Sequence, residues 1–195
     1  MIKFLKHRVN DTDDINFNYG IELDVWNYNG YAVLSHDSPK EDCIELGDLL
    51  SFRLPYYAIN AKSTGLEIIV PELKNRKDYF IFDAAVPEAL KLLKAGLNVF
   101  TRQSEYEKAP SFYNEANGIW LDQMESDWVS QWDLNVHLST YNTDKTRKQV
   151  AIVSPELHGR DPKAFWLKLK GMDLVGDVWL CTKFPDEAKK VIYGI

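Results

Sequence analysis

No run of apolar residues in this chain approaches the roughly 20 that a membrane-spanning helix needs. The opening residues, MIKFLKHRVNDTDD, hold no apolar stretch of signal-peptide length. A transmembrane segment is not expected, and a reducing, cytoplasmic location is. Cysteine is almost missing. Cys43 and Cys181 stand alone with no CxxC spacing, which excludes a disulfide framework. Both read as small buried or half-buried apolar residues. A basic stripe is also lacking. The net charge is −6 and the pI about 5.3, so a nucleic-acid partner is not expected. There is no low-complexity run, no Pro/Gly-rich linker and no internal repeat. Residues 1–195 are therefore expected to form one domain. Oligomeric state leaves no trace in the sequence.

What remains is ordinary globular material, 45% hydrophobic and 27% charged, with an aromatic share of 13%. Short apolar runs alternate with helix-like stretches. Strands are expected at Ile2–Lys6, Gly20–Trp26, Tyr31–Ser35, Tyr56–Ala61, Tyr79–Phe82, Leu97–Thr101, Gly118–Leu121, Gln149–Val153 and Val178–Cys181. Several are apolar on both faces, as strands of a covered parallel sheet are. Gly20–Trp26 and Tyr31–Ser35 flank Asn27-Tyr28-Asn29-Gly30, and Asn-Gly predicts a hairpin. Helices are expected at Ile44–Arg53, Pro87–Ala95, Pro162–Lys170 and Pro185–Ile192. Pro87 and Gly96 serve as start and stop of the clearest one, and Asp161 is a cap candidate for the third. Residues 127–146 give no clear pattern.

Counting the hairpin once leaves eight parallel strands with helices between most of them. That pattern predicts an α/β fold, a compact (β/α)8 barrel of the TIM type with shortened or missing helices and a β-hairpin inserted after the second strand. The chain is close to the lower limit of such barrels, roughly 200 residues. An open doubly wound sheet competes, but no Gly-rich loop follows the first strand.

Glu22 and Asp24 are two apart in a strand, so both point to one face, while Ile21, Leu23 and Val25 take the other. A solvent-facing strand surface gives the same alternation. On a buried face, two adjacent carboxylates demand a cation, and oxygen ligands suit Mg2+ or Ca2+. His7-Arg8 and His36-Asp37 each fall where a strand gives way to a loop. In α/β barrels that end carries the chemistry. Two histidines suit a displacement at phosphorus, one taking a proton and one giving it. Either could equally be a structural surface residue. Asn60 and Lys62 share a face at the end of another strand and offer a neutral oxygen and a point charge. Asp83, Gln103, Asp122 and Glu156 also follow strands, where helix caps and loop residues are as common as site residues. His158 is expected on a surface loop.

His7-Arg8, Glu22-Leu23-Asp24-Val25, the Asn29-Gly30 turn and His36-Asp37 together resemble the signature of the glycerophosphodiester phosphodiesterases. That signature is His-Arg, Glu-x-Asp, a hairpin turn and His-Asp. Pro87-Glu88-Ala89-Leu90 is similar to the family's helix start. Thr182-Lys183-Phe184-Pro185 is similar to its closing turn, with Lys183 in place of an acid. The resemblance implies a metal-dependent phosphodiester hydrolase of lipid metabolism, acting on a small phosphodiester such as a glycerophosphodiester. It implies Glu22 and Asp24 as metal ligands and His7 and His36 as the acid–base pair. Arg8 and Lys62 would bind phosphate, and Asn60 stands at the position of a third, acidic ligand. The family's Gly after His-Arg is Val9 here, and its Glu-Asn-Thr segment is absent. Two other functions fit parts of the pattern. One is a metal-dependent sugar isomerase or lyase barrel, which needs no phosphate cation. The other is a degenerate barrel that binds a phosphoester without catalysis.

Overall fold

Nine strands and six helices alternate along the chain. A computed structural model describes all residues, Met1–Ile195. The strands are β1 (Ile2–Lys6), β2 (Gly20–Tyr28), β3 (Tyr31–Leu34), β4 (Tyr57–Ala61), β5 (Tyr79–Phe82), β6 (Phe100–Gln103), β7 (Gly118–Leu121), β8 (Gln149–Val153) and β9 (Val178–Thr182). The helices are α1 (Leu46–Leu50), α2 (Val70–Leu73), α3 (Val86–Lys94), α4 (Gln131–Leu138), α5 (Lys163–Lys170) and α6 (Pro185–Tyr193). With β3 set aside as the hairpin's return strand, eight strands remain, interleaved with helices as in a (β/α)8 barrel of the TIM type. The helices are reduced as expected. Only a 3-10 turn, Thr12–Asp14, stands between β1 and β2, and no helix separates β6 from β7.

The chain divides into two compact units, His7–Phe100 and Met1–Lys6 with Thr101–Ile195. In the first, β4 lies between β2 and β5, and both pairings are parallel. The β2–β4 register sets Glu22 opposite Ala58 and Asp24 opposite Asn60. Ile21, Leu23 and Val25 on the other face of β2 are fully buried. Each such side chain contributes about 1.5–3 kcal/mol on leaving water. β2 runs two residues further into the turn than the sequence suggests, while β3 starts at Tyr31 as expected and ends one residue earlier, at Leu34. The loop is therefore only Asn29-Gly30, with φ of +53° and +87°. That is the mirror-image turn whose twist matches the strands, and it explains why Asn-Gly stands there. α3 starts at Val86 and ends at Lys94, with Gly96 left-handed beyond it.

In the second unit the strand order is β1-β9-β8-β7-β6. β7 and β9 are buried along their whole length, as parallel strands covered on both faces are. α4 occupies the stretch whose pattern was unclear. A capping box fixes its start: the Ser130 hydroxyl accepts from the Asp133 N–H while the Asp133 carboxylate accepts from the Ser130 N–H. Asp161 accepts a hydrogen bond from the Lys163 N–H at the start of α5, the cap-like role expected of it. No helix is long and apolar enough to cross a membrane.

Candidate active site

Six of the residues singled out from the sequence, His7, Arg8, Glu22, Asp24, Asn60 and Lys62, lie in the His7–Phe100 unit, on the first half of β2, at the end of β4 and in the segments that follow β1 and β4. Glu22 and Asp24 are each only 2% exposed, so the solvent-facing reading of that strand is excluded. Glu22 Oε2 accepts a 2.7 Å hydrogen bond from the Arg8 N–H. The same oxygen lies 3.6 Å from His7 Nε2. Arg8 reaches this position with a left-handed φ of +56°. A non-glycine residue adopts that conformation only when its surroundings enforce it. The Val9 N–H, bonded to the Glu22 carbonyl at 2.8 Å, supplies part of that enforcement. Arg8 itself is exposed.

Asp24 is held from two sides. Lys62 Nζ stands 3.6 Å from Oδ1. Asn10 Nδ2 donates to Oδ2 at 2.9 Å, and the Asp24 N–H donates to Asn10 Oδ1 at 2.8 Å. Asn60, in register with Asp24 on β4, has no hydrogen bond on its side chain. Burial first, and then the adjacent Asp24 charge, pushes the Glu22 carboxyl from 4.5 up to about 8. The Arg8 N–H and guanidinium oppose this, and Asp83 adds to it. A buried carboxyl pair left in this state is short of positive charge.

His36 is placed differently. The Ser35 N–H bonds to the Asp24 carbonyl at 3.1 Å, which brings this part of the chain alongside β2. The imidazole, however, is partly exposed and bonded through Nδ1 to Asp37 at 2.9 Å. It makes no hydrogen bond or ion pair to the carboxylate cluster. Because a carboxylate only accepts, Nδ1 carries the proton and Nε2 is left for chemistry.

Glu22, Asp24 and the Asn60 amide fit one hard divalent cation by donor type: two carboxylates and a neutral oxygen, with a charge deficit already present. No three His, Cys, Asp or Glu side chains converge into a metal cluster anywhere in the chain. Asn60, in register with Asp24, contributes an amide and not a carboxylate.

Of the weaker candidates, Asp83 is exposed and left-handed at the end of β5. Three others belong to networks of the second unit. Asp122 accepts a 2.6 Å hydrogen bond from His158 Nε2. His158, expected on a surface loop, is exposed at the end of the 3-10 turn Pro155–His158 between β8 and α5, where this hydrogen bond ties it down. Glu156 is buried and accepts from the Ser154 and Thr182 hydroxyls and the Lys183 N–H. Gln103 Oε1 accepts from His137 Nε2, and Tyr113 holds the other ring nitrogen. Asn10 is the contributor that sequence reasoning missed. A lone asparagine in a polar loop has no periodicity, and only its place three residues after His7 marks it.

No family model and no curated protein matches the sequence. Two solved structures resemble the chain throughout. Glycerophosphodiester phosphodiesterase from Agrobacterium tumefaciens str. C58 shares 14% identity at a TM-score of 0.63, covering 98% of this chain and 99% of its own. A protein of Galdieria sulphuraria, provisionally assigned to the same enzyme, shares 14% identity at a TM-score of 0.65, covering 98% of each chain. The fold is the one found in these phosphodiesterase structures. At this identity the likeness concerns the path of the backbone, and the chemistry rests on the side chains described above.

Proposed function

We propose that this chain is a metal-dependent phosphoric diester hydrolase acting on a glycerophosphodiester or a similar phospho-alcohol. The observation that carries the reading is the buried Glu22–Asp24 pair, short of positive charge, with Asn60, Lys62, His7 and Arg8 around it. The likeness of fold to the two phosphodiesterase structures supports it.

In this reading Glu22, Asp24 and the Asn60 amide oxygen hold one Mg2+ or Ca2+. Bound there, the ion supplies charge to neutralise a non-bridging phosphate oxygen. Arg8 and Lys62 bind the phosphate and stabilise the charge that grows on it. His7 and His36 divide the proton transfers. One takes the proton from the hydroxyl beside the diester as that oxygen bonds to phosphorus. The other gives a proton to the departing alcohol oxygen. Glu22, 3.6 Å from the His7 ring, keeps it oriented, and Asp37 does the same for His36. The cyclic phosphate formed is opened by water with the roles reversed.

The test is release of glycerol phosphate from glycerophosphocholine in Mg2+ or Ca2+. His7→Ala and His36→Ala are each expected to lower kcat by roughly 100-fold or more with the fold intact. Full activity in either variant removes the pair. A second reading, phosphoester binding without catalysis, is favoured by Asn60 and by the ammonium of Lys62 already beside Asp24. It predicts binding of glycerol phosphate with no turnover in the unaltered protein. A sugar isomerase needs no phosphate cation, and loss of phosphoryl chemistry in Lys62→Ala separates it from the first reading.

A further inference from the structure

Both carboxylates of the site are tied to the same short segment, His7–Asn10. Glu22 is tied through Oε2 to the Arg8 N–H, and Asp24 through Oδ2 to the Asn10 amide. In each case the bond engages one oxygen of the carboxylate. The Asn10 contact is two-pronged, since its Oδ1 also receives the Asp24 N–H at 2.8 Å. One planar amide thus reads the main chain and the carboxylate of a single residue. Aspartate could not donate to the carboxylate, and serine could not reach both groups. The second oxygen of Asp24, Oδ1, lies 3.6 Å from Lys62 Nζ.

We propose that Asn10 is a positioning residue that locks Asp24 into one-oxygen ligation and thereby makes the site select Mg2+ over Ca2+. This rests on the metal-dependent reading above. Calcium takes six to eight oxygens and uses carboxylates in either one- or two-oxygen mode. Magnesium takes six at short distance, keeps waters, and is content with one or two carboxylates. One oxygen each from Glu22, Asp24 and Asn60 would suit the second ion. Asn10 touches no ligand of the reaction and acts through Asp24 alone.

The test is calorimetric titration of the whole protein with MgCl2 and with CaCl2, comparing the unaltered chain with Asn10→Ala, Asp24→Asn and the double variant. The unaltered chain is expected to bind Mg2+ more tightly than Ca2+. Asn10→Ala should weaken Mg2+ binding by roughly 10- to 100-fold, the usual effect of removing a ligand's hydrogen-bond partner. Ca2+ binding should weaken less, because the freed carboxylate can offer both oxygens. On the Asp24→Asn background, Asn10→Ala should add little further loss. Equal losses for both ions, or additive losses in the double variant, overturn the proposal and leave Asn10 a loop anchor. If the unaltered chain binds neither ion, both this proposal and the metal-dependent reading fall. If it binds Mg2+ and Asn10→Ala changes nothing, only this one falls.

Discussion

Glu22 gives the site its electrostatic character, and the consequence is measurable without substrate. Burial raises its carboxyl from 4.5 to about 8 in the folded protein. Between those values the folded chain keeps a proton that the unfolded chain has released. Stability is therefore greatest below about pH 4.5 for this group and erodes up to about pH 8, with a slope that approaches about 1.4 kcal/mol per pH unit. Among the groups facing it, Asp24 and Asp83 deepen the effect and Arg8 softens it, and the His7 ring lies 3.6 Å away. Urea unfolding of metal-free protein from pH 5 to 8 should show this decline. Glu22→Gln should flatten it, and an unchanged slope in that variant would place the titration elsewhere. At this scale much was legible. Two acids at alternate positions of an otherwise apolar strand announce a shared face, and only burial decides what they face. Asn10 was not legible, because its role depends on a loop that folds back along β2 through Val9 and Arg8.

The hairpin is the element whose local chemistry matters most to the site, since β3 leads directly into Ser35, His36 and Asp37. Its two-residue turn places Gly30 at φ +87°, with nothing within 4 Å of an added Cβ. Substitution there is a pure backbone effect. Gly30→Ala is expected to destabilise by roughly 1–2 kcal/mol, and Gly30→Asn by clearly less, because Asn tolerates the left-handed region. Equal midpoints for the two in urea would contradict the mirror-image turn. Strands bounded by Gly, Asn or Pro were readable to within two residues at most ends. β6 was not, starting at Phe100 rather than Leu97, with Val99 making only an isolated bridge to Ile81. α4 escaped for a different reason. Its apolar residues do not keep to one face: Leu134 and Leu138 are buried, while Trp132 and Val136 are exposed. What starts the helix is the Ser130–Asp133 box, a shorter-armed version of the usual Ser-x-x-Glu pattern. Ser130→Ala should lower stability by about 1 kcal/mol and leave turnover unchanged.

At the scale of the whole chain, the alternation of strands and helices predicted the fold class, but it could not predict how the chain divides. One compact unit is a continuous piece, His7–Phe100, whereas the other joins Met1–Lys6 to Thr101–Ile195. The second therefore depends on contacts between residues far apart in sequence. β1 pairs with β9 over Ile2–Lys6 and Val178–Thr182. Tyr193, at the end of α6, clasps the first of these residues twice: its hydroxyl accepts from the Ile2 N–H at 2.6 Å and donates to the Ile2 carbonyl at 2.7 Å. Its ring meets Phe4 edge-on with centroids 6.1 Å apart. Tyr193→Phe keeps the ring and strips the clasp. It leaves a main-chain donor and acceptor at a largely buried strand start without their partner, worth about 1–3 kcal/mol. If β1 is held in its unit mainly by strand pairing, the loss will sit near the lower end and the transition will stay sharp. If the clasp is what seats β1, hydrogen exchange at Ile2–Lys6 will accelerate before global unfolding, while the β2–β4 amides around Glu22 and Asp24 keep their protection. Exchange that rises equally in both units would mean they unfold as one. The carboxylate site would then share its stability with a hydroxyl on the last helix, although no residue of the site belongs to that unit.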